Sequence, residues 1–191
     1  MKGIKILVEV SARHCHLSQR DLEKLFGEGY ELTKTKQLSQ PSDFACKETV
    51  AVEFGDKKFE NVRVVGPVRP QTQVEISLTD AIGSGILPQL RVSGDLKHSS
   101  GAVLCGPQGR AKIEDGVIVA QRHIHCSPEE AKNIKAKNGD IVSVETKGLR
   151  PIIFQDVVVR VKEGYKLCMQ IDTDEGNAAG IHKIGEGTII K

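Results

Sequence analysis

Aromatic side chains are scarce in this chain of 191 residues: 4%, with no tryptophan, two tyrosines and five phenylalanines. A core of stacked rings is excluded, so the 39% of hydrophobic residues must fill it mainly as Val, Ile and Leu, and the Val/Ile runs favour strands. Long hydrophobic runs are also missing. None approaches the roughly 20 apolar residues of a spanning helix, and Glu9 interrupts the apolar start before a signal-length core develops. Charge of one sign is lacking: 27 basic residues face 25 acidic ones, for a net charge of +2. That balance speaks against a general nucleic-acid or membrane-surface binder. No CxxC pair occurs, and the cysteines (Cys15, Cys46, Cys105, Cys126, Cys168) are odd in number and widely spaced. Reduced thiols in a cytoplasm are expected rather than a disulfide framework. The length suits one large domain or two small ones.

What is present is an internal echo. Ala12-Arg13-His14-Cys15-His16-Leu17-Ser18 returns 109 positions later as Gln121-Arg122-His123-Ile124-His125-Cys126-Ser127. Each copy follows a β-like stretch, Ile4–Val10 or Gly116–Ala120, and runs into a helix-start signal. Ser127-Pro128-Glu129-Glu130 carries a capping Ser, a Pro at the first helical position and Glu three residues after the Ser. Ser18-Gln19-Arg20-Asp21 is the same signal with Asp. A second echo, offset by 95, sets Phe59-Glu60-Asn61-Val62 on Phe154-Gln155-Asp156-Val157 and, carried forward, Val74-Glu75-Ile76 on Met169-Gln170-Ile171. Short β-like segments separated by Gly66-Pro67, Gly106-Pro107, Asn138-Gly139 and Glu163-Gly164 predict a mainly β protein of small barrels or sandwiches. Three short helices are expected, at about 18–26, 79–84 and 127–134.

In an extended segment, residues i and i+2 share a face, so the imidazoles of each His-x-His can converge on one ion. Imidazole suits Zn²⁺ and similar divalent metals, and the two pairs use four of the six histidines. The repeat makes Glu75 and Gln170 the third group facing each pair. Glu75 with His14 and His16 forms a His₂Glu set of the kind that holds catalytic zinc. Gln170, a neutral amide, adds no charge, so the second set is the weaker. Arg69, six residues before Glu75, offers a bidentate fork suited to phosphate. The acidic run Asp172–Glu175 lacks EF-hand spacing and is expected to be a polar strand-to-helix turn. Cys15 and Cys126 adjoin histidines but point to the opposite face of a strand, and neither is expected to be a nucleophile.

These motifs, with Leu38-Ser39-Gln40-Pro41, Gln73-Val74-Glu75-Ile76-Ser77, Ser93-Gly94-Asp95 and Ile171-Asp172-Thr173-Asp174-Glu175, resemble the PduL-type phosphate propanoyltransferases over nearly the full length. The resemblance implies two small β-barrels capped by short α-helices, with an internal repeat. One barrel is expected to comprise residues 13–120 and the other 1–12 plus 121–191, the N-terminal strand joining the C-terminal barrel. It implies a dimetal site, usually zinc, between the barrels. His14, His16 and Glu75 match the metal site associated with the coenzyme A sulfur, and His123 and His125 match two ligands of the second. Arg69 matches the phosphate-binding arginine; Ser11, Lys36, Arg63 and Asn177 match positions that contact coenzyme A. The departure is Gln170, where the pattern has a third histidine; Gln170 itself, His98, His182, Cys126 or Cys168 could complete that site.

The expected reaction is acyl transfer between a short acyl-CoA (propanoyl- or acetyl-CoA) and inorganic phosphate, in a small homo-oligomer such as a dimer. Without the N-terminal extension that targets some relatives into bacterial microcompartments, a free cytosolic form is expected. A metal-dependent acyl-CoA hydrolase and a non-catalytic metal- or CoA-binding module are the rival classes.

Overall fold

The computed structural model describes residues 3–86 and 89–190. In chain order the first strands are β1 (Ile4–Val10), β2 (His14–His16), β3 (Lys34–Gln37), β4 (Phe44–Phe54), β5 (Lys57–Gly66) and β6 (Gln73–Ile76). They continue as β7 (Leu90–Arg91), β8 (Ser100–Cys105), β9 (Arg110–Ala120), β10 (His123–Cys126) and β11 (Ile141–Thr146). The last are β12 (Ile152–Val161), β13 (Cys168–Ile171) and β14 (Ile184–Ile190). Four short helices intervene: α1 (Gln19–Phe26), α2 (Leu78–Gly83), α3 (Pro128–Asn133) and α4 (Thr173–Ala179). No helix among the described residues is long and apolar enough to cross a membrane.

The chain divides into two compact units, Arg13–Ala120 and Met1–Ala12 with Gln121–Lys191. Within the first, β4, β5, β2, β6, β9 and β8 pair in that order, and β8 returns to β4, closing a six-stranded barrel that β3 and β7 extend. In the second, β1, β13, β10, β12, β11 and β14 close an equivalent six-stranded barrel. The two rings share one topology. Each His-x-His strand runs parallel to one long strand (β5 or β12) and antiparallel to one short strand (β6 or β13). That short strand is in turn parallel to β9 in one barrel and to β1 in the other. The strand preceding each His-x-His strand thus belongs to the other barrel: β1 to the second and β2 to the first, β9 to the first and β10 to the second.

Alternation fills each interior with aliphatic groups. One core gathers Cys15, Val64, Val74, Leu104 and Val117; the other gathers Val8, Ile124, Val144, Val159 and Met169. Burying each such aliphatic side chain contributes roughly 1.5–3 kcal/mol, which a chain poor in rings needs from many positions. Asn61 and Asp156, matched by the second echo, both adopt positive φ (56° and 53°) inside long strands, a conformation that Asn and Asp tolerate. The duplication therefore extends to the backbone.

Three helices begin within a residue or so of the expected positions, and the mainly β architecture of two capped barrels is as the resemblance implied. Strand β14 carries little alternation in its sequence. Its Gly187 is required by packing: an added Cβ would fall 2.6 Å from a Val144 methyl.

Candidate metal centre

Each short strand of this topology ends in a helix cap. Ser18 caps α1 and accepts from the Asp21 amide; Ser127, Ser77 and Asp172 start α3, α2 and α4, each in a reciprocal capping box with the residue three positions on. Capping satisfies amides that a helix start would otherwise leave unpaired, and it stops β2, β6, β10 and β13 at fixed points. The acidic run Asp172–Glu175 is the α4 cap, the strand-to-helix turn its composition suggested. Arg13 pairs with Asp80 at 2.5 Å and Arg122 with Glu175 at 2.7 Å. Each arginine thus ties the residue before a His-x-His pair to the helix that follows the neighbouring short strand. Sequence reasoning missed this role, although both arginines stand at matched positions of the first echo.

His14 and Glu75 are register partners across β2 and β6. His14 Nε2 lies 3.7 Å from a Glu75 oxygen, Oε2, and the ligand atoms of His14, His16 and Glu75 all fall within 4.8 Å of one another. The histidine rings meet edge to face, centroids 5.1 Å apart. His16 Nδ1 donates to the Val65 carbonyl at 2.9 Å, leaving Nε2 with its lone pair for an ion. Burial, then the neighbouring His14 and Arg69, hold the His16 pKa well below its ordinary value, so the ring stays neutral as a ligand must. Two imidazoles and a carboxylate at this spacing fit a divalent ion with a coordination position left open. No other set of three His, Cys, Asp or Glu ligand atoms gathers as closely among the described residues.

Two residues not picked as site residues hold Glu75 in place. Gln73 Nε2 donates to Glu75 Oε1 at 2.5 Å and the Ser93 hydroxyl donates to the same oxygen at 3.0 Å, leaving Oε2 on the His14 side. Gln73 Oε1 accepts from the Gly94 amide. Arg69 joins the network: its amide donates to the Leu17 carbonyl at 2.9 Å and its guanidinium to Ser93 Oγ at 3.3 Å. Both Gln73 and Ser93 sit in the motifs quoted above, which is the signal that could have found them.

The second His-x-His pair repeats the register but not the cluster. His123 faces Gln170 and His125 faces Cys168 across β10 and β13. The rings lie 4.5 Å apart, and His123 Nδ1 donates to the Gln121 carbonyl at 2.8 Å. Of the alternatives to Gln170, Cys126 lies in the core of its barrel and its thiol points to the Arg160 carbonyl. Cys168 is on the Gln170 side of β13. His182 is exposed after α4, and His98 belongs to the other unit. Arg63 is exposed beside His14 in register, with its guanidinium on the Cys46 carbonyl. Lys36 is exposed on β3, and the Ser11 amide donates to Ile171 after β1. Asn177 is exposed on α4, where its carbonyl accepts from Arg150.

A duplicated small barrel with a His₂Glu cluster and a tethered arginine defines a candidate metal-dependent enzyme. The family model described as phosphate propanoyltransferase matches residues 7–182. A phosphate propanoyltransferase of Thermotoga maritima is 53% identical over 91% of this chain and 83% of its own. Proteins of the same name from Sebaldella termitidis and Clostridioides difficile are 46% and 45% identical, over 99% and 97% of this chain and 90% and 88% of theirs. The chain belongs to the phosphate propanoyltransferase family and is an acyltransferase.

Proposed function

We propose that this enzyme interconverts a short acyl-CoA, propanoyl-CoA or acetyl-CoA, and inorganic phosphate with the acyl phosphate and CoA, assisted by a divalent ion, Zn²⁺, at His14, His16 and Glu75. The observation that carries the reading is the convergence of those three ligands in a chain of this family. In the forward direction the thioester C–S bond breaks, a phosphate oxygen bonds to the acyl carbon, and the proton of hydrogen phosphate ends on the thiol of CoA. Bound at the cluster, the ion would supply Lewis-acid stabilisation of carbonyl oxygen and leaving thiolate.

The chain's own residues do the rest. Glu75 supplies the negative charge of the ligand set, and Gln73 and Ser93 hold Oε1 so that Oε2 lies toward His14. Arg69, anchored at Ser93, presents the fork that binds phosphate beside the acyl group; holding both reactants removes the entropy cost of their encounter. The same guanidinium offsets charge building on the tetrahedral carbon. Arg63 and Lys36, exposed cations, suit the phosphates of CoA, with Ser11 and Asn177 as further contacts. Imidazoles His123 and His125 are the ligands proposed for a second ion. The five free cysteines support a cytoplasmic setting.

The test is thiol release from propanoyl-CoA and acetyl-CoA after metal reconstitution, with and without phosphate. Release that requires phosphate, and falls sharply in Arg69→Ala with the fold intact, is expected. Release indifferent to phosphate would make the protein a hydrolase instead, and none at all would leave a binding module.

A further inference from the structure

The second histidine pair is short of a negative charge at its cross-strand partner, Gln170, where the first pair has Glu75. The barrel's register shows a carboxylate one strand further on. In the first unit the order across the sheet is His14, Glu75, Ile118. In the second it is His123, Gln170, Glu9. Glu9 holds the position equivalent to Ile118 by the 109-residue echo, so acid and neutral residue have exchanged strands between the units. Register partners on neighbouring strands share a face, and that is the face of His123, His125 and Gln170. Glu9 Oε2 lies 3.5 Å from Gln170 Nε2. The Gln170 amide therefore turns its nitrogen to the acid and keeps its oxygen as the atom able to meet a cation.

We propose that Glu9 supplies the anionic oxygen for a divalent ion at His123 and His125, with the Gln170 amide oxygen beside it. This rests on the metal-assisted reading above. His123 and Glu9 are two strands apart, about 9.6 Å at a strand spacing of about 4.8 Å. An imidazole and a glutamate leaning toward each other over β13, on the face opposite the core, with metal bonds of about 2.1 Å, span that gap. Glu9 is half-buried at the barrel wall, where its three side-chain torsions allow the swing from Gln170 Nε2 to the ion. A carboxylate and two imidazoles then give the second site the net charge of the first, with no third histidine. Cys168, register partner of Leu7 on β1 and in contact with Glu9, is the competing donor on the same face.

The test is competition titration of the metal-free full chain with Zn²⁺ against a chromophoric chelator, and with Co²⁺ by absorption. Wild type should bind two ions per chain. Glu9→Gln should keep one with unchanged affinity and bind the other at least about tenfold more weakly, while Glu9→Gln/Gln170→His should recover both. The Co²⁺ form should show no thiolate charge-transfer band. Two ions bound equally well by wild type and Glu9→Gln, or a thiolate band that Cys168→Ser abolishes, would overturn the assignment. So would a single ion in wild type, with the His14 centre surviving; no ion at all would instead overturn the metal-assisted reaction. If Glu9→Gln does not fold, anomalous scattering from zinc-loaded wild-type crystals decides, by whether a Glu9 oxygen bonds the second ion or faces away from it.

Discussion

Glu75 stands directly across the strand pair from His14, its Oε2 atom 3.7 Å from the imidazole and its other oxygen held by Gln73 and Ser93. One oxygen is fixed by Gln73 and Ser93 and the other is turned to His14, so the carboxylate is oriented before any metal arrives. Glu75→Gln keeps the shape and removes the charge. It should weaken binding at this centre by more than the roughly 10–100-fold that loss of an outer hydrogen-bonding partner costs, and acyl transfer should fall with it. Zinc content after dialysis against a calibrated chelator checks this; undiminished content would remove Glu75 from the ligand set.

Ser93 couples the metal centre to Arg69, since its hydroxyl touches Glu75 Oε1, Gln73 Nε2 and the Arg69 guanidinium. Ser93→Ala should therefore do two things at once: lower zinc affinity about 10–100-fold and raise the KM for phosphate. Thermal stability should change little, because the hydroxyl lies in the turn after β7 and not in the apolar core. With saturating zinc, the phosphate effect should persist. A variant that lost zinc affinity but kept its phosphate KM would uncouple the arginine from this network.

The His-x-His pairs were legible because a spacing of two residues in a strand places both rings on one face. Glu75 was legible through the repeat, as the residue matched to Gln170, and through the resemblance. Gln73 and Ser93 carry no such periodic mark: they act through hydrogen bonds formed when the segment around Ser93 lies against β6. Glu9 was read only as a charge that interrupts an apolar start. Its place beside Gln170 comes from a parallel pairing across 161 residues, and nothing local in a sequence encodes such a register. The Arg13–Asp80 and Arg122–Glu175 pairs were hidden for the same reason, though the echo had already aligned both arginines.

None of the five thiols is set up as a nucleophile. Burial pushes the Cys15 and Cys168 pKa values up strongly, and holds Cys46 and Cys126 at about 11. Cys105 is raised less, by partial burial and the Glu53 carboxylate. A raised thiol pKa means a protonated, unreactive group at neutral pH. In native protein at pH 7.5, an aromatic disulfide reagent should label Cys105 first and the other four only slowly, with all five reacting in denaturant. Cys126→Ser should leave acyl transfer intact. Rapid native labelling of Cys15 or Cys126 would contradict their burial.

His16 should make the metal-free protein sensitive to mild acid. Its pKa is depressed on folding, by burial first and then by His14 and Arg69, so below about 6.5 the unfolded chain takes up a proton that the folded chain refuses. The unfolded state then binds more protons, and stability rises with pH. The stabilisation is fully present above the ordinary histidine pKa and is lost as pH falls toward the depressed one, by at most ~1.4 kcal/mol per pH unit for this single group. Urea unfolding of wild type and His16→Gln, both stripped of metal, at pH 7.5, 6.5 and 5.5 isolates the effect from the other histidines. The variant should lose less stability between 6.5 and 5.5 than wild type, and equal losses would mean that His16 accepts its proton in the folded barrel. Zinc should deepen the acid sensitivity of wild type, because a ligating imidazole must also be neutral.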